Sequence, residues 1–357
     1  MAEHFHVLKV AEIVPETDEA MSIRFDVPYD LAEAFRFKAG QHLTLKADID
    51  GEEVRRNYSL CVAPDEGLVK VTVKRIKGGV FSNWVAASLR AGDEIEVMSP
   101  VGSFTVPFDA SAVRRYVGIA GGSGITPIMS LIRTALGDEP NSRFTLFYGN
   151  RDSQSVIFLE ALADLKDRYM GRFELFHFLA EEESEVDLFN GMLDAGRVSE
   201  AIEALVVEPA EIAAWFICGP GPMMDAAESV LVERGIVRER IHIERFTAGR
   251  PDAAQAAQLA AFQEQAAGQS IAVTLDGRTR KIEFDGSSIL DSARAAGLQA
   301  PFACKAGVCA TCRAKVVSGK VEMAVHYGLT DEEIADGYVL TCQSVPAGDG
   351  VAIDYDA

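Results

Sequence analysis

Four of the six cysteines in this 357-residue chain lie close together near its C-terminal end, as Cys304, Cys309, Cys312 and Cys342. Four residues separate the first pair and two the next, and 29 precede the last. Thiolates are soft ligands, and four at this spacing suit a [2Fe–2S] cluster with two sulfur ligands on each iron. Lys305, Ala306, Gly307, Val308, Ala310 and Thr311 fill the loop. Their mostly small side chains let backbone N–H groups turn towards the negatively charged sulfides. Zinc is the lesser alternative, because zinc sites favour paired C-x2-C knuckles or mixed Cys and His. Cys61 and Cys218 stand alone, and six cysteines are too few for a disulfide scaffold.

A second chemistry is suggested by Gly118-Ile119-Ala120-Gly121-Gly122-Ser123-Gly124-Ile125-Thr126-Pro127, which follows an expected strand and opens an expected helix. In that context a glycine-rich run can cradle a dinucleotide, with Gly122, Gly124, Thr126 and Pro127 as contact candidates. Pro127 stands where the dehydrogenase fingerprint has Gly or Ala, so this is not the ordinary Rossmann motif. Arg151 comes just after the next strand, where an Arg pairs with a ribose 2′-phosphate and a carboxylate with a 2′-hydroxyl. Arg151 favours NADPH over NADH, although Asp152 beside it pulls the other way. Cys218-Gly219-Pro220-Gly221-Pro222-Met223-Met224 begins at the end of a further strand; Cys218 is a nucleotide contact, a packing residue, or both.

A third set of residues suits a second bound ring. Arg56-Asn57-Tyr58-Ser59 ends one expected strand, and Lys74 precedes Gly78-Gly79-Val80-Phe81-Ser82 at an expected helix start. Exposed N–H groups of Gly79, Val80, Phe81 and Ser82, with the positive end of the helix dipole, make an anion site fit for a pyrophosphate. The plainer alternative is a turn with Ser82 as N-cap.

The elements that must position these residues fall into three textures. To about Phe108 the chain gives short alternating strands, such as Gln41–Ala47, Glu52–Cys61 and Leu68–Ile76, with one helix at Phe81–Ala91, which predicts an antiparallel β-barrel. From Arg115 apolar strands (Arg115–Ile119, Phe144–Tyr148, Ala214–Cys218) alternate with helices (Pro127–Leu136, Phe158–Tyr169, Gly221–Arg234), which predicts an α/β parallel sheet. Thr247–Gln269 is rich in Ala and Gln and is expected to be a partly helical tether. Beyond it, a hairpin at Ile271–Phe284 turning at Asp276-Gly277 and a helix at Ser288–Ala296 precede the cysteine loop. The expected multidomain division is 1–108, 109–248, a linker at 249–269, and 270–357.

These motifs resemble the ferredoxin–NADP reductase superfamily followed by a plant-type ferredoxin domain. R-x-Y-[ST] matches Arg56-Asn57-Tyr58-Ser59, and G-x-x-S matches Gly79 to Ser82. G-x-G-x-x-P matches the glycine run, C-G-P-x-x-M matches Cys218 to Met223, and the terminal E-x-F matches Glu244-Arg245-Phe246. The resemblance implies FAD, NADPH and a [2Fe–2S] cluster on an antiparallel β-barrel flavin domain, an α/β nucleotide domain and an α+β β-grasp ferredoxin domain. It puts Arg56 at the flavin pyrophosphate, Tyr58 on the flavin ring, Ser59 near N5, and Phe246 near the flavin. Cys218 and Gly219 fall beside the nicotinamide and Glu244 near the hydride-transfer centre, so that Ser59, Cys218 and Glu244 shape the reacting contact. Cys304 and Cys309 hold one iron, Cys312 and Cys342 the other. The pattern is most like reductases serving a multisubunit di-iron oxygenase that itself binds an aromatic CoA thioester. The alternatives are a reductase for a Rieske, steroid or other di-iron oxygenase, or a non-enzymatic carrier or redox sensor.

The chemistry is coherent, since a nicotinamide releases two electrons as hydride, the cluster takes one, and a flavin converts between them. The formal charge of −20 argues against nucleic-acid binding. No basic leader precedes an apolar core at the N-terminus, and apolar stretches such as 117–132 are broken and short, so no membrane span and a cytoplasmic location are expected. His4, His6, His42, His177, His242 and His326 show no metal-binding spacing and are taken as structural or exposed.

Overall fold

The computed structural model describes residues 5–246 and 253–357, apart from the side chains of 253–259 and 331. It separates into two units, one of Val7–Val54 with Tyr58–Glu244 and one built on Arg245–Ala357.

The first unit opens with β1 (Phe5–Thr17), β2 (Ala20–Asp26), β3 (His42–Ile49), β4 (Glu52–Ser59), β5 (Val69–Lys74), α1 (Val80–Ser88) and β6 (Glu94–Met98). The strands form a sheet in the order β4-β3-β6-β1-β2-β5, and a Leu60–Val71 bridge joins its two edges into the expected barrel. Val69, Val71 and Val73 of β5 point inward with Leu8, Val10, Ile23, Leu43, Leu45 and Val97, as the period of two requires. Phe81 and Val85 of α1 plug this core, which fixes the start of α1.

Next come β7 (Arg115–Gly121), α2 (Ile125–Asp138), β8 (Arg143–Asn150), α3 (Leu159–Arg168), β9 (Phe173–Leu179), α4 (Ala195–Leu205), β10 (Ala214–Cys218), α5 (Gly221–Glu233) and β11 (Ile241–Glu244). Their sheet is parallel, in the order β11-β10-β7-β8-β9. The helices cover both faces. Tyr116, Phe144 and Phe216 pack with Ile128, Ile132 and Leu162 on one side; Val117, Phe147 and Trp215 pack with Val198, Ile202 and Val230 on the other. The chain turns back between β7 and β10, and in such sheets the crevice at the strand C-termini there is where ligands bind.

The other unit holds α6 (Ala253–Ala266), β12 (Ser270–Leu275), β13 (Arg278–Glu283), α7 (Ile289–Ala295), β14 (Arg313–Ser318), β15 (Val321–Met323), α8 (Asp331–Ala335), β16 (Tyr338–Leu340), β17 (Ser344–Pro346) and β18 (Ala352–Asp354). A mixed sheet, β13-β12-β18-β14-β16, packs on α7 in the expected α+β arrangement. Asp276 and Gly277 both take positive φ in the hairpin turn, the type I′ geometry that the Asp-Gly pair favours. The stretch expected as a tether lies partly outside the described residues. Its described C-terminal end belongs to the core of this unit, where Ala266 is buried, Phe262 packs beside it, and Gln263 donates to the Ser287 carbonyl at 2.6 Å.

Candidate functional site

In the barrel, Tyr58 and Ser59 end β4. Tyr58 is half-buried 5.9 Å from the Phe81 ring, and Ser59 is buried. Arg56, two positions earlier on β4, is exposed and donates to the Arg55 carbonyl. Gly79 is the N-cap residue of α1, and no side chain caps the first turn. Ser82 is therefore not the cap; its buried hydroxyl accepts from Ile76 N–H at 3.2 Å and closes the loop. With Gly78 at φ +76°, the first N–H groups of α1 are left for an anion. Lys74 at the end of β5 is within reach of Gly122, since a Cβ on Gly122 would stand 3.7 Å from Lys74 Nζ. The end of β5 and the glycine-rich loop after β7 are neighbours.

The glycine-rich loop after β7 is built by close packing. A Cβ on Gly124 would stand 2.0 Å from the Cys218 carbonyl oxygen, so only glycine lets the two loops meet. Thr126 donates to the Ser123 carbonyl, Pro127 sits in the first turn of α2, and buried Tyr148 donates to the Gly122 carbonyl at 3.0 Å. Gly122 itself has φ +51°. Tyr148 is a support that sequence reasoning missed, because only the β7–β8 pairing brings it there.

Cys218 ends β10 beside Glu244 of β11 in the strand register. Fully buried, its thiol is pushed well above the usual range by desolvation and further by Glu244, so it stays protonated and acts by shape. Ser59 Oγ donates to Glu244 Oε2 at 3.4 Å, and His42 Nδ1 lies 3.7 Å from Glu244 Oε1. The structure brings Ser59, Cys218 and Glu244 together, as the resemblance implied, and adds the buried His42, whose flanking residues carry no signal of it. Phe246 is exposed. Arg151 lies after β8 with its Nε on Asp152 Oδ2 at 2.8 Å.

In the cysteine loop, the side chains of Cys304 and Cys309 hydrogen-bond to each other, and so do those of Cys312 and Cys342. Each pair can give two sulfurs to one iron. Ala306 N–H points at Cys304 Sγ at 3.3 Å, and the Val308 and Gly307 N–H groups face Cys304 and Cys342. Lys305 and Ala310 join Gly307 at positive φ, which aims these amides inward. Thr341 and Tyr355 anchor the shell: Tyr355 donates to Thr341 Oγ1 at 2.8 Å, and Thr341 to the Cys312 carbonyl at 2.9 Å. Among the described residues no three His, Cys, Asp or Glu could hold a lone metal ion. The paired thiols and inward amides fit a two-iron cluster, and the uncapped α1 start fits a flavin pyrophosphate.

Three domain families match the chain in order. They are an oxidoreductase FAD-binding domain over residues 7–106, an oxidoreductase NAD-binding domain over 119–229, and a 2Fe-2S iron-sulfur cluster binding domain over 273–347. The chain is 45% identical over 355 residues to one of the subunits of 1,2-phenylacetyl-CoA epoxidase from Escherichia coli, covering 99% of this chain and 98% of that one. The chain belongs to the oxygenase reductases that combine FAD, NAD and 2Fe-2S domains. The ferredoxin reductase component of 3-ketosteroid-9-alpha-monooxygenase from Mycobacterium tuberculosis is 36% identical, covering 100% and 97%. Phthalate dioxygenase reductase superposes with a TM-score of 0.59 over 98% of both chains at 24% identity, so the modular fold is shared. This oxygenase reductase is an oxidoreductase, and among its described residues no helix is long and apolar enough to cross a membrane.

Proposed function

We propose that this reductase takes hydride from a reduced nicotinamide dinucleotide and delivers electrons singly to a multisubunit di-iron oxygenase like phenylacetyl-CoA epoxidase, in aerobic phenylacetate breakdown in the cytoplasm. The observation that carries the reading is the end-to-end 45% identity with a component of that epoxidase.

A bound flavin supplies the conversion of one hydride into two single-electron deliveries. Arg56, Lys74 and the Gly79, Val80, Phe81 and Ser82 backbone hold its phosphates, and Tyr58 supports its ring. Gly122, Gly124, Thr126, Pro127 and Gly219 shape the nucleotide cleft. Cys218 sets the depth of that cleft with an uncharged side chain. Ser59 presents a hydroxyl, and Glu244 with His42 orients it. Cys304, Cys309, Cys312 and Cys342 hold the cluster.

A second reading, a reductase of a steroid oxygenase, is favoured by the 36% identity with the 3-ketosteroid component over the whole chain. Purified protein reduced anaerobically by nicotinamide nucleotide is expected to lose its flavin absorbance and develop the EPR signal of a reduced [2Fe–2S] cluster. It should then support turnover by the epoxidase's oxygenase components and not by the steroid oxygenase. The reverse preference selects the second reading, and protein that stays oxidised ends both.

A further inference from the structure

Ser130 and Arg133 lie one turn apart on α2, the helix that opens from the glycine-rich loop. Ser130 is fully buried, and its hydroxyl donates to the Val62 carbonyl at 2.6 Å. Arg133 Nη1 reaches both oxygens of Glu66, at 3.0 and 3.1 Å, and Glu66 Oε1 also accepts from Ala63 N–H at 2.9 Å. One short segment of the barrel, 62–66, is thus tied twice to the helix.

That segment begins three residues after Ser59 and has little freedom of its own. Leu60 N–H donates to the Gln41 carbonyl at 2.9 Å, Cys61 N–H donates to the Lys70 carbonyl at 3.1 Å, and Leu60 bridges to Val71. On the other side, Ser130 follows Pro127 by three positions within one continuous helix. Ser130 therefore joins, through two short and rigid arms, the strand that carries Ser59 to the loop that carries Gly122, Gly124 and Thr126.

Apolar packing alone does not set that register. Ala39, Cys61 and Phe104 share a core with Ile125, Ile128 and Met129 of α2, but hydrophobic contacts have no preferred direction and let surfaces slide. A buried hydroxyl–carbonyl bond has a direction, and shifting it leaves an acceptor unpaired away from water. The Ser59–Glu244 and His42–Glu244 contacts also run from barrel to parallel sheet, but at 3.4 and 3.7 Å they hold less tightly.

We infer that Ser130 is a positioning residue for hydride transfer: its hydroxyl on the Val62 carbonyl fixes how the glycine-rich loop stands relative to Ser59. Arg133 and Glu66 form the outer half of the same latch. Reacting atoms must be held about 3–3.5 Å apart, and a displacement of about 1 Å from a distant change costs about a hundredfold in rate. The inference rests on the proposed reading of that loop as the nicotinamide-nucleotide site and of Ser59 as the residue beside the flavin.

The test uses the full chain loaded with flavin and cluster, mixed anaerobically with reduced nicotinamide nucleotide in a stopped-flow instrument. Ser130→Ala is expected to lower the limiting rate of flavin bleaching at least about tenfold and to weaken the long-wavelength charge-transfer absorbance of the nicotinamide–flavin pair. The half-saturating nucleotide concentration should stay within about twofold, and dithionite should reduce flavin and cluster as in wild type. Arg133→Gln, at a part-exposed site, should move the same two readouts in the same direction by a smaller factor. Thr134→Val is the control, since its hydroxyl donates within the helix to the Ser130 carbonyl at 2.8 Å; it should leave both readouts near wild type. A wild-type limiting rate in Ser130→Ala, or an equal loss in Thr134→Val, overturns the positioning role, and so does a loss that lies wholly in nucleotide affinity. If Ser130→Ala does not fold, an unaltered rate and absorbance in Arg133→Gln decides against it. Wild-type flavin that bleaches with dithionite and with no nicotinamide nucleotide overturns the reading beneath it as well.

Discussion

The Ser59 hydroxyl reaches the Glu244 carboxylate at 3.4 Å across 185 residues of sequence, joining the last residue of a barrel strand to the last residue of the parallel sheet. The contact is long for a hydroxyl–carboxylate bond, and one oxygen of Glu244 also faces His42. Ser59 is thus held loosely enough to turn its donor elsewhere. Ser59→Ala is expected to slow flavin reduction about a hundredfold, the order seen when one donor to developing charge is removed, with flavin content unchanged. Stopped-flow traces matching wild type would remove the hydroxyl from the reaction.

A Cβ on Gly124 would meet the Cys218 carbonyl where the glycine-rich loop passes the end of β10. The obstacle to a Cβ is main chain and cannot rotate away. Gly124→Ala should cost about 1–3 kcal/mol of stability and weaken nucleotide-driven reduction. Dithionite should still reduce both cofactors. A variant with unaltered nucleotide affinity would show that the two loops can part without consequence.

The sequence is clearest where one local rule decides the outcome. Val69, Val71 and Val73 alternate, Asp276-Gly277 suits one turn type, and Ala214–Cys218 is an apolar strand bounded by turns; each element stands where expected. The long strand β1 is less legible, because bulges at Val10/Glu12 and Pro15/Thr17 break its period. The tether's Ala and Gln content permits a helix but does not reveal that Ala266 docks in the ferredoxin core. Local motifs single out their candidate residues in the sequence itself, whereas contacts made by tertiary pairing leave no local mark. His42 meets Glu244 only through closure of the barrel on the sheet, and Glu181 meets Arg151 only through the β8–β9 ladder.

Glu139 shows how far a buried carboxylate can reach. Fully enclosed, it accepts from Tyr116 Oη at 3.0 Å, Ser142 Oγ at 2.6 Å and Asp109 N–H at 3.0 Å, and pairs with Arg114 at 3.3 Å. Asp109 and Arg114 lie on the segment that links barrel and sheet, so this hub fixes the crossover. Glu139→Ala leaves several buried donors unpaired and should cost about 3–5 kcal/mol, seen as a lower urea midpoint at unchanged slope. Glu139→Gln should lose less. Equal midpoints for both variants would mean that the charge, rather than the acceptor shape, is what matters.

Burial lowers the pKa of His177 and of His242 below the ordinary 6.5. In the unfolded chain both bind a proton near 6.5, while in the folded sheet they stay neutral to lower pH. The unfolded state therefore holds more protons between those values, so stability is full above pH 6.5 and falls as pH drops towards the folded pKa. His242, stacked on Phe216 at 5.4 Å, is the cleaner probe because desolvation alone shifts it. Urea midpoints for wild type should decline between pH 7 and 5, and His242→Phe should flatten part of that decline. An unchanged slope in the variant would assign the loss to other groups.

Gly328 sets the shape of the cysteine loop from outside it. Its N–H donates to the Gly307 carbonyl at 3.0 Å, and a Cβ there would stand 2.8 Å from Ala310 N and 3.1 Å from the Val308 carbonyl carbon. Those residues lie between Cys304 and Cys312, where Lys305, Gly307 and Ala310 already hold positive φ and have little room to yield. Gly328→Ala should displace the inward amides, lowering bound iron and acid-labile sulfide while leaving flavin stoichiometry and nucleotide-driven flavin reduction near wild type. Ala310→Gly keeps the loop conformation without a Cβ in the left-handed region, so it should retain iron fully. If Gly328→Ala retained full iron as well, the cysteines alone would suffice to hold the cluster and the loop's left-handed residues would have no part in it.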